Sequence, residues 1–154
     1  LQAPGSVLQL RGQVIDPQSV AYQSSVFWLD PRTTAHDQVI VRQFLQTAAL
    51  RYPQWDTEVQ AHLLEALDLL PHIDKPLYML STGSKRKVWV TAALASGAAL
   101  TLLDEPFAAL DKTSIRIILE QLQCLSQSSS RACVVADYEA PAGVMLAHTI
   151  DLGD

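Results

Sequence analysis

The sequence has no surplus of positive charge. Its 154 residues carry 11 Lys and Arg against 16 Asp and Glu, which gives a formal net charge of −5 at pH 7. Because nucleic-acid-binding domains normally present a basic face, this balance argues against a nucleic-acid partner. Long apolar runs are also absent, since no stretch approaches the roughly 20 residues that a membrane-spanning helix requires. The length suits one domain, and the 49% of hydrophobic residues is enough to build a core.

Cysteine is scarce as well, because Cys124 and Cys133 are the only two in the chain. No residue near them has the spacing of a metal site, so a structural zinc centre is not indicated. Free cysteines are generally buried as small apolar groups, and we expect both to pack in the interior. This cysteine usage fits a reducing compartment such as the cytosol.

The most informative segment that is present reads LTLLDEPFAALD at positions 100–111. Its first four residues are an apolar run that suits a strand buried on both faces. Asp104 and Glu105 follow at once, and Pro106 ends the strand. Acidic residues at the carboxyl end of a buried strand lie where open α/β sheets bind ligands. This pattern suits nucleotide hydrolysis, with Asp104 holding Mg²⁺ directly or through water and Glu105 polarising the attacking water.

A second motif, LSTGS at positions 80–84, precedes that segment. Together the two resemble the ATP-binding subunits of ABC transporters. LLDEP resembles the Walker B strand with its catalytic glutamate, residues 109–111 resemble the D-loop, and LSTGS resembles the LSGGQ signature. The order and spacing of the three motifs also match the family. The alternative is an ordinary buried strand and a Ser/Gly turn.

The resemblance implies that Ser81, Thr82, Gly83 and Ser84 clamp the γ-phosphate of an ATP held by the opposite subunit. The free N–H groups and dipole of a helix N-terminus favour such an anion. Thr82 replaces a glycine and Ser84 a glutamine, and the added Cβ of Thr82 would weaken the contact. The basic residues 85–87 are unfavourable in a first helical turn unless an anion lies nearby; a solvated basic face is the alternative.

Three further residues gain roles only from the resemblance. Gln23 follows the segment VAY, where the family has the Q-loop glutamine that bridges Mg²⁺ or the attacking water; a plain surface glutamine is the alternative. Asp111 would bridge the two subunits. Asp137 occupies the position of the switch histidine, and a carboxylate cannot donate a hydrogen bond to the γ-phosphate at pH 7. None of the four histidines is placed to substitute, so robust hydrolysis is in doubt.

One family motif is missing. No G-x-x-x-x-G-K-[ST] occurs in the sequence, although this P-loop normally cradles the phosphates with backbone N–H groups and a lysine. Residues 3–7 resemble the turn that follows the P-loop helix in the family. We therefore expect the chain to be an N-terminally truncated piece of a longer subunit. The alternative is a natural pseudo-ATPase that lost the loop.

The expected fold is α/β, with a P-loop NTPase-like core sheet, flanking helices and an inserted helical subdomain. The core would comprise residues 1–36 and 97–154, and the helical subdomain with the signature residues 37–96. Expected helices span 37–50, 56–70, 84–95 and 112–125. Asp56 is the expected N-cap of the second, and the fourth has an amphipathic pattern of apolar residues. Expected strands span 7–10 and 13–15 around a hairpin at Gly12, then 19–22, 100–104, 132–136 and 149–152.

The function that the resemblance implies is an ATP-binding and ATP-hydrolysing subunit that energises an ABC transporter, with this piece alone inactive. ATP and Mg²⁺ are the expected cofactors. The expected partners are a transmembrane permease subunit and a second ATP-binding subunit, on the cytoplasmic, inner face of the cell membrane. The alternative is a catalytically impaired pseudo-ATPase that acts as an interaction or regulatory module.

Overall fold

The computed structural model describes residues 9–10 and 12–153. Within them no helix is long and apolar enough to cross a bilayer. Two 3₁₀ turns, Leu70–His72 and Leu77–Met79, accompany the regular elements. In chain order these are β1 (Gln9–Leu10), β2 (Gln13–Val14), α1 (Val20–Ser25), β3 (Val26–Phe27), α2 (Val41–Arg51), α3 (Thr57–Ala66), α4 (Thr82–Ala95), β4 (Leu100–Asp104), α5 (Lys112–Ser126) and β5 (Ala132–Ala136).

Strands β3, β4 and β5 form a parallel sheet with β4 in the middle. Parallel neighbours need long crossover connections, and here helices α2, α3 and α4 separate β3 from β4, while α5 separates β4 from β5. All three strands therefore end at the same edge, and Asp104 at the end of β4 is opposite Ala136 at the end of β5. This edge carries the acidic residues that the sequence singles out.

Helix α4 is the centre of the core. Its residues 88–95 are all buried, which includes every side of the helix. A helix that is apolar all round is stable only when other elements surround it, and α2, α3, β4 and α5 all contact α4. Gly97 follows it with φ +63°, and a Cβ there would lie 2.0 Å from the carbonyl oxygen of Gln54. Only glycine fits both the conformation and the space at that position.

Several sequence-based expectations are confirmed. The hairpin forms around Gly12, which has φ +77°, and β1 pairs antiparallel with β2; residues 7 and 8 of the expected first strand lie outside the described residues. Asp56 caps α3, because its carboxylate accepts hydrogen bonds from the amides of Glu58 at 3.0 Å and Val59 at 2.9 Å. Strands 100–104 and 132–136 and the helix after Asp111 have the expected positions.

The expected strand at 19–22 is wrong, because these residues lead into helix α1. Ser19 caps that helix by accepting a hydrogen bond from the amide of Tyr22 at 3.2 Å. Asp16 orders the preceding turn by accepting from the amide of Gln18 at 2.9 Å. Such local side-chain bonds offset the strand propensity of a short Val-Ala-Tyr segment. The strand that pairs with β4 is Val26–Phe27 instead.

The expected strand at 149–152 is also absent, since this stretch is irregular and its apolar side chains are exposed. Helix boundaries move by a few residues: α2 begins at Val41 rather than 37, and α4 begins at Thr82 rather than 84. A bridge between Ile40 and Pro76 holds the chain extended just before α2. The division into a core and a helical subdomain at 37–96 stays a prediction.

Strands β4 and β5 are less buried than expected, because a strand covered on both faces would have most of its residues buried. In β4 only Thr101 and Leu103 are buried. No residue of β5 is buried, and Val134 is 53% exposed. The reason is that the core cluster covers one face, where Cys133 and Val135 pack, while no described residue buries the other. The expected burial of both cysteines is correspondingly wrong, because Cys124 is exposed and Cys133 is only half-buried.

Candidate functional site

The predicted acidic residues meet at the carboxyl edge of the parallel sheet. Asp104 ends β4, Glu105 follows it, and Asp137 comes directly after β5. The carboxylate of Asp104 is exposed and has no hydrogen-bond or ion-pair partner among the described residues. The side chain of Glu105 is 30% exposed. Strand topology thus brings three predicted site residues to one edge, where a ligand could reach them.

The backbone of Glu105 adopts a left-handed conformation, with φ +44°. Its amide donates to the carbonyl oxygen of Ala136 at 2.8 Å, and its own carbonyl accepts from the amide of Ala108 at 3.2 Å. That carbonyl also accepts a hydrogen bond from the guanidinium of Arg86. A non-glycine residue held in this region costs on the order of 1–3 kcal/mol, and such strain clusters at functional sites.

A second arginine approaches the carboxylate of Glu105 from the loop that follows β3. The Nη2 atom of Arg32 lies 3.9 Å from Oε1 of Glu105, and the side chain of Arg32 is 78% exposed. An ion pair this long and exposed contributes little to stability. Sequence reasoning missed both arginines: Arg32 follows an unremarkable Asp-Pro turn, and Arg86 was only one of three adjacent basic residues.

The signature segment forms the start of α4. Ser81 caps the helix by accepting from the amide of Ser84 at 3.1 Å, and the two hydroxyl oxygens lie 3.0 Å apart. A Cβ at Gly83 would lie 2.5 Å from the carbonyl oxygen of Ala109. The space beside Gly83 is thus filled by the backbone of Ala109 in the same chain. The roles of Ser81, Thr82, Gly83 and Ser84 in holding a phosphate stay predictions.

The three basic residues after the signature are engaged within the chain, so a solvated basic face is the wrong interpretation. Lys85 pairs with Asp37 at 2.7 Å, and both side chains are mostly buried. Arg86 binds the carbonyl of Glu105. Lys87 pairs with Asp111 at 3.2 Å. The positive charge in these first turns is therefore offset by carboxylates and carbonyls.

Asp111 caps helix α5. Its carboxylate accepts hydrogen bonds from the amide and the hydroxyl of Ser114, both at 2.8 Å. The Ser114 amide, then the Ser114 hydroxyl and Lys87, hold the pKa of Asp111 well below its usual range. The side chain remains 58% exposed, so it is accessible to another molecule. Its predicted role in bridging two subunits stays a prediction.

Gln23 lies in helix α1, before β3. The prediction that it follows a strand is therefore wrong. Its side-chain amide is exposed and donates to the backbone carbonyl of Gln18 at 3.4 Å. The backbone carbonyl of Gln23 accepts from the guanidinium of Arg51 at 3.2 Å. The carboxylate of Asp137 accepts from the amide of Tyr138 at 2.8 Å. The assignment of Gln23 to a Mg²⁺ or water site and of Asp137 to the switch position stay predictions.

Among residues 9–10 and 12–153, no group of three or more His, Cys, Asp or Glu side chains is arranged to hold a metal ion. Mg²⁺ typically takes only one or two carboxylates and completes its octahedron with waters and substrate phosphates. The exposed, unpaired carboxylate of Asp104, next to that of Glu105, fits such shared coordination. The donor set therefore suits Mg²⁺ bound together with a triphosphate and does not suit a metal held by protein ligands alone.

Comparison with known proteins agrees with this geometry. A family model described as ABC transporter matches residues 4–108. The chain belongs to the ABC transporter family. The phosphonates import ATP-binding protein PhnC of Chromohalobacter salexigens is 31% identical over 107 residues, which is 70% of this chain and 39% of that protein. The chain thus spans well under two thirds of this ABC relative's length.

Solved structures confirm the predicted α/β fold. An ATP-binding subunit of an ABC transporter superposes with a TM-score of 0.70 and 20% identity, over 82% of this chain and 53% of that one. A dimeric ATP-binding cassette in a post-hydrolysis state, bound to ADP and Pi, gives a TM-score of 0.66 and 15% identity over 84% of this chain and 61% of that one. The ABC fold is therefore established.

Proposed function

We propose that this chain is part of an ATP-binding and ATP-hydrolysing subunit of an ABC transporter, and that Glu105 is its general base. The observation that carries the proposal is the turn after β4. There the carboxylate of Asp104 has no partner among the described residues, and the strained backbone of Glu105 is fixed by hydrogen bonds to both its amide and its carbonyl. Both residues lie at the edge of the sheet where α/β proteins bind ligands. Strain held in place by surrounding hydrogen bonds at a strand end is typical of a site built for chemistry.

Each residue has a separate task in this proposal. Asp104 binds the Mg²⁺ that neutralises charge on the phosphates when nucleotide is present. Glu105 orients the attacking water and takes its proton. The segment from Ser81 to Ser84 presents hydroxyl and amide donors at the N-terminus of a 14-residue helix, which favours the γ-phosphate of an ATP held by a second subunit.

The partners follow from the same proposal. The dimeric cassette bound to ADP and Pi supports a second ATP-binding subunit, and the exposed carboxylate of Asp111 is available to it. The transporter relatives support a transmembrane permease as the other partner. The subunit would then act at the cytoplasmic, inner face of the membrane, with Gln23 and Asp137 near the nucleotide.

Phosphate release from Mg-ATP tests the proposal. The sequence contains no P-loop, so we expect no turnover from the 154-residue chain alone and Mg²⁺-dependent turnover from a subunit in which a P-loop segment precedes it. In that subunit, Asp104→Asn should weaken Mg-ATP binding by at least about tenfold, because it removes a charge from the metal site. Turnover by the 154-residue chain, abolished by Glu105→Gln, would contradict the account.

A second candidate, a non-hydrolysing interaction module, is favoured by the carboxylate of Asp137 beside the proposed site. In the subunit with a P-loop, Asp137→His would install a donor for the γ-phosphate. We expect turnover to rise about tenfold, equivalent to ~1.4 kcal/mol of transition-state stabilisation. Absence of turnover in both forms, with Mg-ATP still bound, would favour the interaction module.

A further inference from the structure

Arg86 lies in α4, two residues beyond the signature segment, yet its guanidinium contacts the turn after β4. One nitrogen, Nη1, donates to the carbonyl oxygen of Glu105 and lies 3.5 Å from that of Asp104. Its Nε is buried and has no hydrogen-bond partner among the described residues. The guanidinium of Arg86 is partly buried, and these contacts attach it to the backbone of the turn after β4.

Two neighbouring contacts attach the same part of α4 to the rest of that turn. We call residues 105–111 the catalytic segment. Gly83 touches it at the carbonyl of Ala109, where a Cβ would lie only 2.5 Å away. Lys87 pairs with Asp111 at 3.2 Å. Three residues from the first two turns of α4 thus contact the beginning, middle and end of the catalytic segment.

The contact from Arg86 falls where the backbone is strained. Glu105 has φ +44°, and its amide is already held by Ala136 of β5. With the amide fixed, the orientation of the next peptide decides whether the left-handed conformation persists. A hydrogen bond from a charged guanidinium is stronger than one from a neutral donor. Arg86 therefore stabilises the conformation that sets the direction of the Cα–Cβ bond of Glu105.

We propose that Arg86 is a positioning residue for the general base. It holds the peptide that follows Glu105 from the signature helix, so that the carboxylate leaves the backbone in the orientation hydrolysis requires. Arg86 touches neither nucleotide nor water in this role, and it acts only through Glu105. The proposal rests on the function proposed above for Glu105.

The first experiment measures amide hydrogen exchange residue by residue in the 154-residue chain. In Arg86→Ala, the amide of Glu105 should exchange at least about tenfold faster than in the unmodified chain, while amides of α3 change less than about twofold. Arg86→Lys should show an intermediate rate, because an ammonium still donates one bond. Arg116→Ala is the matched control, since Arg116 is an exposed arginine paired with Glu120 on α5.

The second experiment measures steady-state hydrolysis in the subunit with a P-loop. Arg86→Ala should lower kcat about 10- to 100-fold with KM for ATP changed less than about threefold, and Arg86→Lys should recover part of the loss. Arg116→Ala should leave both constants unchanged. If Arg86→Ala does not fold, the lysine variant gives the same comparison with smaller effects.

The outcomes separate this inference from the proposed function. Unchanged exchange at Glu105 in both Arg86 variants overturns the inference, and so does faster exchange spread evenly over the chain. A loss of kcat no greater than that of Arg116→Ala also overturns it. Locally faster exchange in the 154-residue chain, together with no ATP hydrolysis by the subunit with a P-loop, overturns the proposed function and supports the hydrogen bond of Arg86 to the Glu105 peptide as a positioning contact.

Discussion

Val88 and Val134 are both valines, but they differ in how much of the side chain is exposed to solvent. Val88 lies in α4 and is completely buried, whereas Val134 lies in β5 and is 53% exposed. The contrast extends to their elements, because eight consecutive residues of α4 are buried and none of β5 is. Burial of apolar surface is the main source of stability. The helices around α4 therefore contribute most of the stability of the described chain, and the sheet beyond β4 contributes little.

The proposed site residues have the opposite distribution. Asp104 and Asp137 are exposed and Glu105 is partly so, and all three belong to the sheet edge. Unpaired carboxylates cannot be buried without a large desolvation cost, so a site made of them has to lie where packing is incomplete. Arg86 joins the two regions, since it belongs to the buried helix and binds the backbone of the exposed turn.

The largest loss of stability is expected at the end of α4. Gly97→Ala adds a Cβ 2.0 Å from a backbone carbonyl at φ +63°, and left-handed strain and overpacking together should cost about 3–5 kcal/mol. Gly143→Ala is the control, because Gly143 has φ +77° with nothing within 4 Å and should cost only about 1–2 kcal/mol. Thermal unfolding followed by circular dichroism measures both. Equal losses would show that the backbone contact with Gln54 is unimportant.

The two valines give the next comparison. Val88→Ala should lower the free energy of unfolding by about 1.5–3 kcal/mol, because it removes buried methyl groups and opens a cavity. Val134→Ala should change it by less than about 0.5 kcal/mol, as is usual for exposed positions. Urea unfolding with a shared m-value provides the measurement. A comparable loss at both positions would place the core in the sheet as much as in the helices.

The smallest effect concerns the two thiols. Burial raises the pKa of Cys133 to about 11, although the charge of Arg131 acts in the opposite direction, so about one in a thousand of its thiols is ionised at pH 8. Cys124 is exposed and should be alkylated first by iodoacetamide, as mass spectrometry would show. Equal labelling rates in the folded chain would contradict the partial burial of Cys133.

The same shift predicts a pH dependence. A raised folded-state pKa means that the stability contributed by the neutral Cys133 thiol is full below the unfolded value near 8.5 and is lost as pH rises toward 11. Melting temperatures of the unmodified chain should fall between pH 8.5 and 11 by more than those of Cys133→Ala. Parallel curves for the two proteins would show that this thiol does not contribute.

Local signals predicted much of the molecule. The apolar run before Asp104, the cap at Asp56 and the periodicity of α5 each identify an element, because the decisive interactions lie within a few residues. The position of Asp104 and Glu105 at the end of a strand was predicted from the apolar run before them. Asp137, in contrast, was singled out only by the family resemblance. The segment at 19–22 misled because a cap from Ser19 outweighed its strand propensity.

Contacts distant in sequence could not be predicted. The carbonyl of Ala109 against Gly83 and the guanidinium of Arg86 at Glu105 join positions about 20 or more residues apart, and no periodicity signals them. The exposure of β5 could not be predicted either, because an apolar run shows only that a strand can be buried. Which face is covered depends on the elements that pack there.

The central claim is that the exposed turn after β4 carries the chemistry while the helices carry the stability. The most direct test is Glu105→Gln in the subunit with a P-loop, with phosphate release and thermal unfolding measured on the same preparation. We predict a rate at least about 100-fold lower, since the general base is lost, and a melting temperature changed by less than about 3 °C. An unchanged rate of phosphate release would contradict the claim.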